Sequence, residues 1–229
     1  GFTQPMSVAC ENSNGIYVLS RGGEGADGVA QPNKRIGKVT MDQEFLGDFG
    51  RGDFTWPAAL AVDSRNHLYC SDEHEDTIIE YDADGEKLGE WGSSGSAEGK
   101  LSMPSGIAFD SENHLFIVDS GNHRIQKFTS QGDFIASWGT NGSGSGEFED
   151  PWGITVDSSG YVYVADWGNN RVQKFSGEGE YIQSFGVEYP EEMRLDHPSD
   201  VAVDSEGDVY VVDWGNKRVQ IFDSEGDIL

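Results

Sequence analysis

The sequence predicts an all-β fold built from repeated four-stranded sheets, and two regularities carry that prediction. Prolines Pro57, Pro104, Pro151 and Pro198 recur at a constant spacing of 47 residues (104 − 57 = 151 − 104 = 198 − 151 = 47). A fixed period of this length is typical of architectures with one supersecondary unit per copy. Each copy contains four short apolar or alternating runs between turn residues, and none shows a sustained helical period. Four antiparallel strands per copy, repeated in series, predict a β-propeller.

The innermost strand of each copy supports this prediction. A small residue stands four positions after each proline, counting Pro5 as the first: Ala9, Ala61, Ala108, Thr155 and Ala202. Propeller blades crowd together towards the central axis, so one face of the inner strand has to be small. The strand directions then put the proline linkers, the loops after the second strands and the ends of the fourth strands on one side, which we call the top face.

The repeats define one predicted domain, residues 1–229, with five blades. Their expected bounds are 5–56, 57–103, 104–150, 151–197 and 198–229. The last blade is clipped, because Asp227 to Leu229 match Asp133 to Ile135 at the start of an outer strand. The first blade carries a Gly- and acid-rich insertion of ten residues around 21–30, which is expected to enlarge a loop on the top face. The second blade has Thr77 where the other copies have arginine.

The repeated sequence segments resemble those of a known repeat family. Pro104 to Asp110, followed by Asp119 to Phe128, closely resemble the NHL repeat, and 166–171 and 213–218 repeat its Asp-x-Gly-Asn-x-Arg core. The resemblance covers essentially the whole chain and implies a β-propeller, usually of six blades. Five copies therefore leave open a truncated ring, a closed five-blade ring, and an open arc completed by a missing segment or by another copy in an oligomer. One fold of this kind hosts many activities, so the resemblance does not define the function.

The net charge of the chain limits the kinds of partner that it is expected to bind. The chain has 41 Asp and Glu against 15 Lys and Arg, a formal net charge of −26. Such a surface repels polyanions, so no nucleic acid partner is expected, including the RNA bound by tripartite-motif NHL proteins. Basic partners and cations suit it. No apolar run approaches the roughly 20 residues that a membrane-spanning helix needs, so no membrane insertion is expected. Acidity with few lysines favours a secreted or extracytoplasmic location.

Several polar motifs have a structural interpretation beside a functional one. Pairs such as Asp119 and Arg124 recur in every regular blade, which favours a structural role, since a ligand site normally breaks repeat symmetry. Asp72 and Asp119 are nevertheless the candidates for a metal site at the channel, with calcium as the possible ion. The acidic segments 82–86 and 223–227 are interpreted as turns, with calcium loops as the alternative. Otherwise no cofactor is expected.

Histidines and cysteines give little support to catalysis. An NHL-like enzyme, the peptidyl-hydroxyglycine amidating lyase, holds zinc with histidines directly after the repeat prolines. That position here carries Met6, Ala58, Ser105, Trp152 and Ser199. Cys10 and Cys70 fall at strand positions that are apolar in other copies, so both are expected to be small buried residues, with a bridge between neighbouring blades as the alternative.

Tryptophans are the most informative irregular feature. Trp152, Trp167 and Trp214 occupy non-core positions on the top face of the last two blades, and Trp56 lies in a top-face linker. Exposed tryptophan favours recognition of partners or sugars, and stacking against neighbouring loops is the alternative explanation. The candidate ligand-binding residues are Trp152, Trp167, Trp214, Trp56, Glu24 and Asp27. The leading hypothesis is a non-enzymatic propeller that recognises a protein or a glycan. The alternative is a calcium- or zinc-dependent hydrolase or lyase, of the lactonase or amidating-lyase kind, with its site at the central channel.

Overall fold

The computed structural model describes residues 4–11, 15–24, 30–31 and 34–229. It confirms the predicted fold class, an all-β chain whose antiparallel sheets form a β-propeller. Among the described residues, four sheets have four strands each, one has three, and a separate two-stranded hairpin interrupts the first sheet between its second and third strands. Helical structure among the described residues is limited to single 3₁₀ turns at Ser120–Asn122, Trp167–Asn169 and Glu191–Met193.

The strands follow the predicted repeat closely. Blade 1 contains β1 (Pro5–Cys10), β2 (Gly15–Ser20), β5 (Arg35–Thr40) and β6 (Phe45–Phe49), and its insertion forms a hairpin of β3 (Gly23–Glu24) and β4 (Ala30–Gln31). Blade 2 contains β7 (Pro57–Val62), β8 (Leu68–Asp72), β9 (Thr77–Tyr81) and β10 (Lys87–Trp91). Blade 3 contains β11 (Pro104–Phe109), β12 (His114–Asp119), β13 (Arg124–Thr129) and β14 (Phe134–Trp138). Blade 4 contains β15 (Pro151–Val156), β16 (Val162–Asp166), β17 (Arg171–Phe175) and β18 (Tyr181–Phe185). Blade 5 contains β19 (Pro198–Val203), β20 (Val209–Asp213) and β21 (Arg218–Phe222).

The backbone contacts divide the chain into two compact units. The first comprises Gly1–Gly95 with Lys100–Ser105, and the second comprises Ser96–Gly99 with Gly106–Leu229. In the first unit, Tyr17 and Leu19 of blade 1 pack against Leu60 and Cys70 of blade 2. In the second unit, residues of one blade again pack against residues of the next, as Tyr163 of blade 4 does with blade 5. Each core therefore lies between consecutive sheets, as the small inner-strand residues predict.

Aspartate closes several of the turns at the ends of the strands. Asp157 Oδ1 accepts the backbone N–H of Ser159 and of Tyr161, both at 2.9 Å, which satisfies two donors in a turn that has no strand partner. The two acidic segments with a calcium-like composition have the same geometry. Asp82 Oδ1 accepts from the N–H of Glu86 at 2.9 Å, and Asp223 Oδ1 accepts from Asp227 at 2.9 Å. The geometry agrees with the interpretation of both segments as turns.

The prediction for the cysteines is half wrong. Cys70 is fully buried in the core of the first unit, where burial raises the pKa of its thiol well above the usual value. Cys10, in contrast, is exposed, and both thiols are free. The reason is that β1 turns Cys10 to the face opposite blade 2, whereas the alternate residue Ala9 packs against the core.

Candidate partner-binding surface

Each regular blade closes its top end with a buried aspartate. Asp166 ends β16 directly opposite Arg171 of β17, and its carboxylate accepts from Arg171 Nε at 2.8 Å and from Gln173 Nε2 at 3.0 Å. It also accepts from the backbone N–H of Glu149 in the incoming linker at 2.9 Å. Burial raises the pKa of the Asp166 carboxyl, while the hydrogen bonds from the Glu149 N–H and from Arg171 act in the opposite direction. The aspartate thus ties three segments of the blade together.

The two aspartates proposed as metal ligands belong to this same series. Asp119 Oδ2 accepts from Asn122 at 2.9 Å, from Arg124 at 2.7 Å and from Gln126 at 2.9 Å. Both aspartates are fully buried. Among the described residues, no group of three or more His, Cys, Asp or Glu side chains is placed to hold a metal ion. Calcium therefore remains a prediction from the sequence.

Asp72 is the exception in the series because Thr77 stands where arginine would be. Its carboxylate instead accepts backbone N–H groups on both sides, from Thr55 at 2.7 Å, from Trp56 at 2.9 Å and from His74 at 3.0 Å. The linker that carries Trp56 is consequently fixed at its backbone by a buried carboxylate. This contact sets the position of the tryptophan on the top end of blade 2.

The Trp56 ring lies against two cationic side chains, and the residue stays about half exposed. The Arg21 guanidinium lies 4.8 Å from the ring centroid, and the Lys34 ammonium lies 5.9 Å from it. Lys34 also donates a hydrogen bond to the Thr55 carbonyl oxygen. The residue nevertheless remains 49% exposed. Exposed tryptophan with a restrained rotamer loses little conformational entropy on binding, which suits a recognition residue.

Arg21 is itself restrained. Its Nε donates to the Pro57 carbonyl oxygen at 2.9 Å, and one terminal nitrogen donates to Glu73 Oε2 at 3.0 Å. Burial raises the pKa of the Glu73 carboxyl, and the arginine opposes that shift. The guanidinium therefore lies over the Trp56 ring with two of its nitrogens already hydrogen-bonded, so its position against the ring is fixed.

The insertion of blade 1 begins and ends beside Trp56. Arg21 precedes the β3–β4 hairpin and Lys34 follows it, so both ends of the insertion lie at Trp56. Glu24 lies on β3, where its backbone pairs with Ala30. Asp27, the other predicted residue of the insertion, lies outside the described residues. The structure thus brings Trp56 together with the base of the irregular loop, an arrangement that sequence spacing alone could not give.

The three tryptophans of the second unit have different surroundings. Trp152 follows the proline of β15 and is 37% exposed, and Trp214 follows β20 and is 63% exposed. Trp167 is partly covered, because its ring packs against the imidazole of His197, with centroids 4.2 Å apart and the ring planes tilted by 58°. His197 in turn contacts Asp196 through Nδ1 at 2.6 Å. Contact with a neighbouring loop, the alternative considered above, therefore accounts for part of the Trp167 surface.

Sequence reasoning missed Arg21 and Lys34. A signal for Arg21 was present, since it occupies the repeat position after the strand-ending residue where other blades carry Glu73, Ser120, Trp167 and Trp214. Its contact with a tryptophan 35 residues later (56 − 21) depends on how two blades approach each other.

The part of the chain that the structure describes contains no helix with the length and hydrophobicity of a membrane span.

Comparisons with known proteins agree with the repeat. The family model for the NHL repeat matches residues 101–128, 148–175 and 195–222. No curated protein matches the chain. Among solved structures, a chain in a nidogen/laminin complex is 18% identical with a TM-score of 0.74, over 98% of this chain and 78% of that one. A catalytically inactive virginiamycin B lyase from Staphylococcus aureus with quinupristin is 18% identical with a TM-score of 0.68, over 99% and 83% of the two chains.

A streptogramin B lyase is 15% identical with a TM-score of 0.69, over all of this chain and 82% of that one. At these identities the likeness concerns the fold alone. The three repeat matches fall in blades 3, 4 and 5, in phase with the prolines that open them. The chain is therefore an NHL-repeat β-propeller protein.

Proposed function

We propose that this propeller is a binding module that recognises a protein partner through the top end of blades 1 and 2, with Trp56 as the main anchor. The observation that carries the proposal is the combination of exposure and restraint at Trp56: an accessible ring on a fixed arginine, with its backbone N–H held by Asp72. Tryptophan, tyrosine and arginine are the residues that most often dominate binding energy at interfaces. The nidogen/laminin chain of similar fold gives independent support for protein binding.

The charge of the chain indicates what the partner would offer. A net charge of −26 attracts basic surfaces and accelerates their encounter. Arg21 and Lys34 make the immediate base of Trp56 cationic, so the ring would accept a planar or apolar side chain, with basic residues of the partner around it. Trp152, in the second unit, is 37% exposed and stays a separate candidate.

The test starts from a displayed library of random peptides selected on the immobilised protein. We expect enriched peptides to contain basic and aromatic residues. For those peptides, Trp56→Ala should raise the Kd by about 30-fold, the loss expected from an interface hot spot of about 2 kcal/mol. Thermal unfolding should change little, because the ring is half exposed and the alanine keeps the N–H that Asp72 accepts.

Leu88→Ala is the matched control. Leu88 is 50% exposed on the outer strand of blade 2, away from the top-face linker, so its removal should leave the Kd unchanged. Equal affinity of the wild type and Trp56→Ala for all selected peptides would contradict the site. The same variants on a glycan array distinguish a carbohydrate partner, which would appear as Trp56-dependent glycan binding without peptide selection.

A metal-dependent hydrolase or lyase is the second candidate, because two of the similar folds are lyases by name. The candidate ligands Asp72 and Asp119 are engaged by backbone or side-chain donors, so a metal would have to displace these contacts. Metal analysis after dialysis is the test. Stoichiometric calcium or zinc that is lost with Asp119→Asn would favour this candidate over a pure binding role.

A further inference from the structure

The residue that precedes the repeat proline is large, apolar and exposed in front of two blades. Trp56 holds this position in front of blade 2, and Met103 holds it in front of blade 3, 47 residues later (103 − 56). Trp56 is 49% exposed and Met103 is 54% exposed. The equivalent residues of the next two blades are polar, Asp150 and His197. Both apolar residues belong to the first compact unit, which therefore displays two candidate anchors rather than one.

A single turn, residues 73–76, contacts the backbone of both anchors. At its start, the Glu73 N–H donates to the Trp56 carbonyl oxygen at 3.0 Å. At its end, Asp76 Oδ1 accepts from the Met103 N–H at 2.8 Å. A chain advances by at most about 3.6 Å per residue, so the Cα atoms of Glu73 and Asp76 lie within about 11 Å of each other. The two anchors are therefore held at opposite ends of one short turn.

The turn itself has a fixed shape. The Asp72 carboxylate is fully buried, and its Oδ1 accepts from the backbone N–H groups of His74 at 3.0 Å and of Glu75 at 3.3 Å. The same oxygen accepts from the Trp56 N–H at 2.9 Å. One buried carboxylate thus fixes both the turn and the first anchor. A surface that is ordered before binding loses less conformational entropy when a partner arrives.

The turn places a negative charge between the anchors. Glu75 lies inside the turn, and its side chain is 49% exposed. Hydrogen bonds with the side chains of Thr55 and His74 hold the pKa of the Glu75 carboxyl below its usual range, so the group is ionised at neutral pH. Glu73, in contrast, is paired with Arg21 and is largely covered. Glu75 is therefore the carboxylate of this turn that is open to a cation from a partner.

We propose, on the basis of the protein-binding function proposed above, that the partner docks an extended segment across Trp56, the turn 73–76 and Met103. The segment carries two apolar or aromatic residues, one against each anchor, and a lysine or arginine that pairs with Glu75. An extended chain advances about 3.3 Å per residue, so apolar residues two or three positions apart span the turn. The negative charge of the whole chain, −26, favours the same basic segment.

The two anchors should differ in how strictly they select the partner. The rigid ring of Trp56 rests on a fixed arginine, which favours a planar or well-fitting apolar side chain. The unbranched thioether of Met103 adapts to side chains of different shape. One apolar position of the bound segment should therefore be narrow in sequence, and the other should accept leucine, isoleucine, methionine and aromatic residues alike.

Peptides selected from a displayed random library, then synthesised and titrated by fluorescence anisotropy, test this surface. We expect them to share two apolar positions, two or three residues apart, with a basic residue between them. Met103→Ala should raise their Kd by about fivefold, the loss typical of a contact outside the main hot spot. Glu75→Gln should raise it by about threefold at low salt and by less at high salt, because exposed ion pairs are weak and screened.

Alanine substitutions in the peptide assign each contact. One apolar position should lose its effect on the Kd when the protein carries Met103→Ala, and the other should lose it with Trp56→Ala. Met193→Ala and Glu178→Gln are the matched controls, since both residues are exposed in the second unit. Neither control should change the Kd. All four replaced side chains are exposed, so thermal unfolding should stay within about a degree or two of the wild type.

The outcomes separate this surface from the proposed function itself. Selected peptides that depend on Trp56 but bind Met103→Ala and Glu75→Gln like the wild type would overturn the two-anchor surface and leave Trp56 as a binding residue. Selected peptides without a second apolar position would overturn it as well. Peptides that bind without any dependence on Trp56 would contradict the proposed function, and this surface with it.

Discussion

Removing one buried aspartate should destabilise the propeller far more than an average substitution. In Asp166→Ala, Arg171 Nε, Gln173 Nε2 and the Glu149 N–H lose an acceptor that lies 2.8 to 3.0 Å away. Asp166 is fully buried and Arg171 is only 8% exposed, so water can replace the carboxylate only in part. Breaking a buried pair from one side costs about 3 to 5 kcal/mol. We expect a loss of that size in the free energy of unfolding.

Urea unfolding followed by circular dichroism and by tryptophan fluorescence measures this loss, with coincident transitions as the check on two-state behaviour. For a chain of this length, 3 to 5 kcal/mol corresponds to a fall in Tm of about 6 to 20 °C. Glu178→Ala in the same blade is the control, because its side chain is 81% exposed, and it should change stability by less than about 0.5 kcal/mol.

The double variant Asp166→Ala/Arg171→Met should be more stable than Asp166→Ala alone, since it removes the unpaired charge. Recovery would be partial, because Arg171 also donates to the Gly144 and Glu147 carbonyl oxygens. A loss below about 1 kcal/mol for Asp166→Ala would refute the reasoning, as it would place the aspartate among ordinary hydrogen-bonded side chains.

Two further predictions concern packing and alkaline stability. Gly106→Ala should lower the free energy of unfolding in urea by about 1 to 3 kcal/mol, because the added Cβ would lie 2.4 Å from the Trp152 carbonyl oxygen of the adjacent blade. Gly89→Ala is the control and should not destabilise the fold, because a Cβ there meets nothing within 4 Å. Equal effects of the two changes would contradict the close approach at Gly106. Burial raises the pKa values of Tyr69 and Tyr81 above the usual 10, so the unfolded state ionises first and stability is lost as the pH rises above about 10, by about 1.4 kcal/mol per pH unit for each tyrosine. Unfolding monitored between neutral and alkaline pH should show this slope, and stability independent of pH above 10 would contradict it.

The sequence predicted the fold well because the repeat encodes local rules. Proline opens each inner strand, an aspartate or a hydroxyl side chain closes the turns, and the pair of Asp166 and Arg171 recurs in phase, so strand order and strand ends follow from spacing. Exposure was harder to predict. Cys10 and Val8 have the composition of buried strand residues, yet their exposure depends on whether another sheet covers them. Prediction from a repeat gives equivalent positions the same environment, so it cannot identify which of these positions is left exposed.

The candidate site was predicted in part. Exposure of Trp56, Trp152 and Trp214 agrees with their non-core repeat positions, whereas Trp167 packs against His197. The contact of Arg21 with Trp56 arises only when blades 1 and 2 pack together, since both residues look like loop positions in isolation. Long-range side-chain contacts of this kind leave no signature in spacing, which is why the restrained base of Trp56 required the structure.

Site-specific photo-crosslinking from position 56 tests the central claim most directly. The photoreactive amino acid benzoylphenylalanine would replace Trp56 in one variant and Leu88 in the other, and each would be irradiated with a peptide selected on the wild-type protein. The account predicts a covalent adduct from position 56 and none from position 88, which lies on an outer strand and is similarly exposed. Equal adduct yields from both positions, or adducts from position 88 alone, would contradict it.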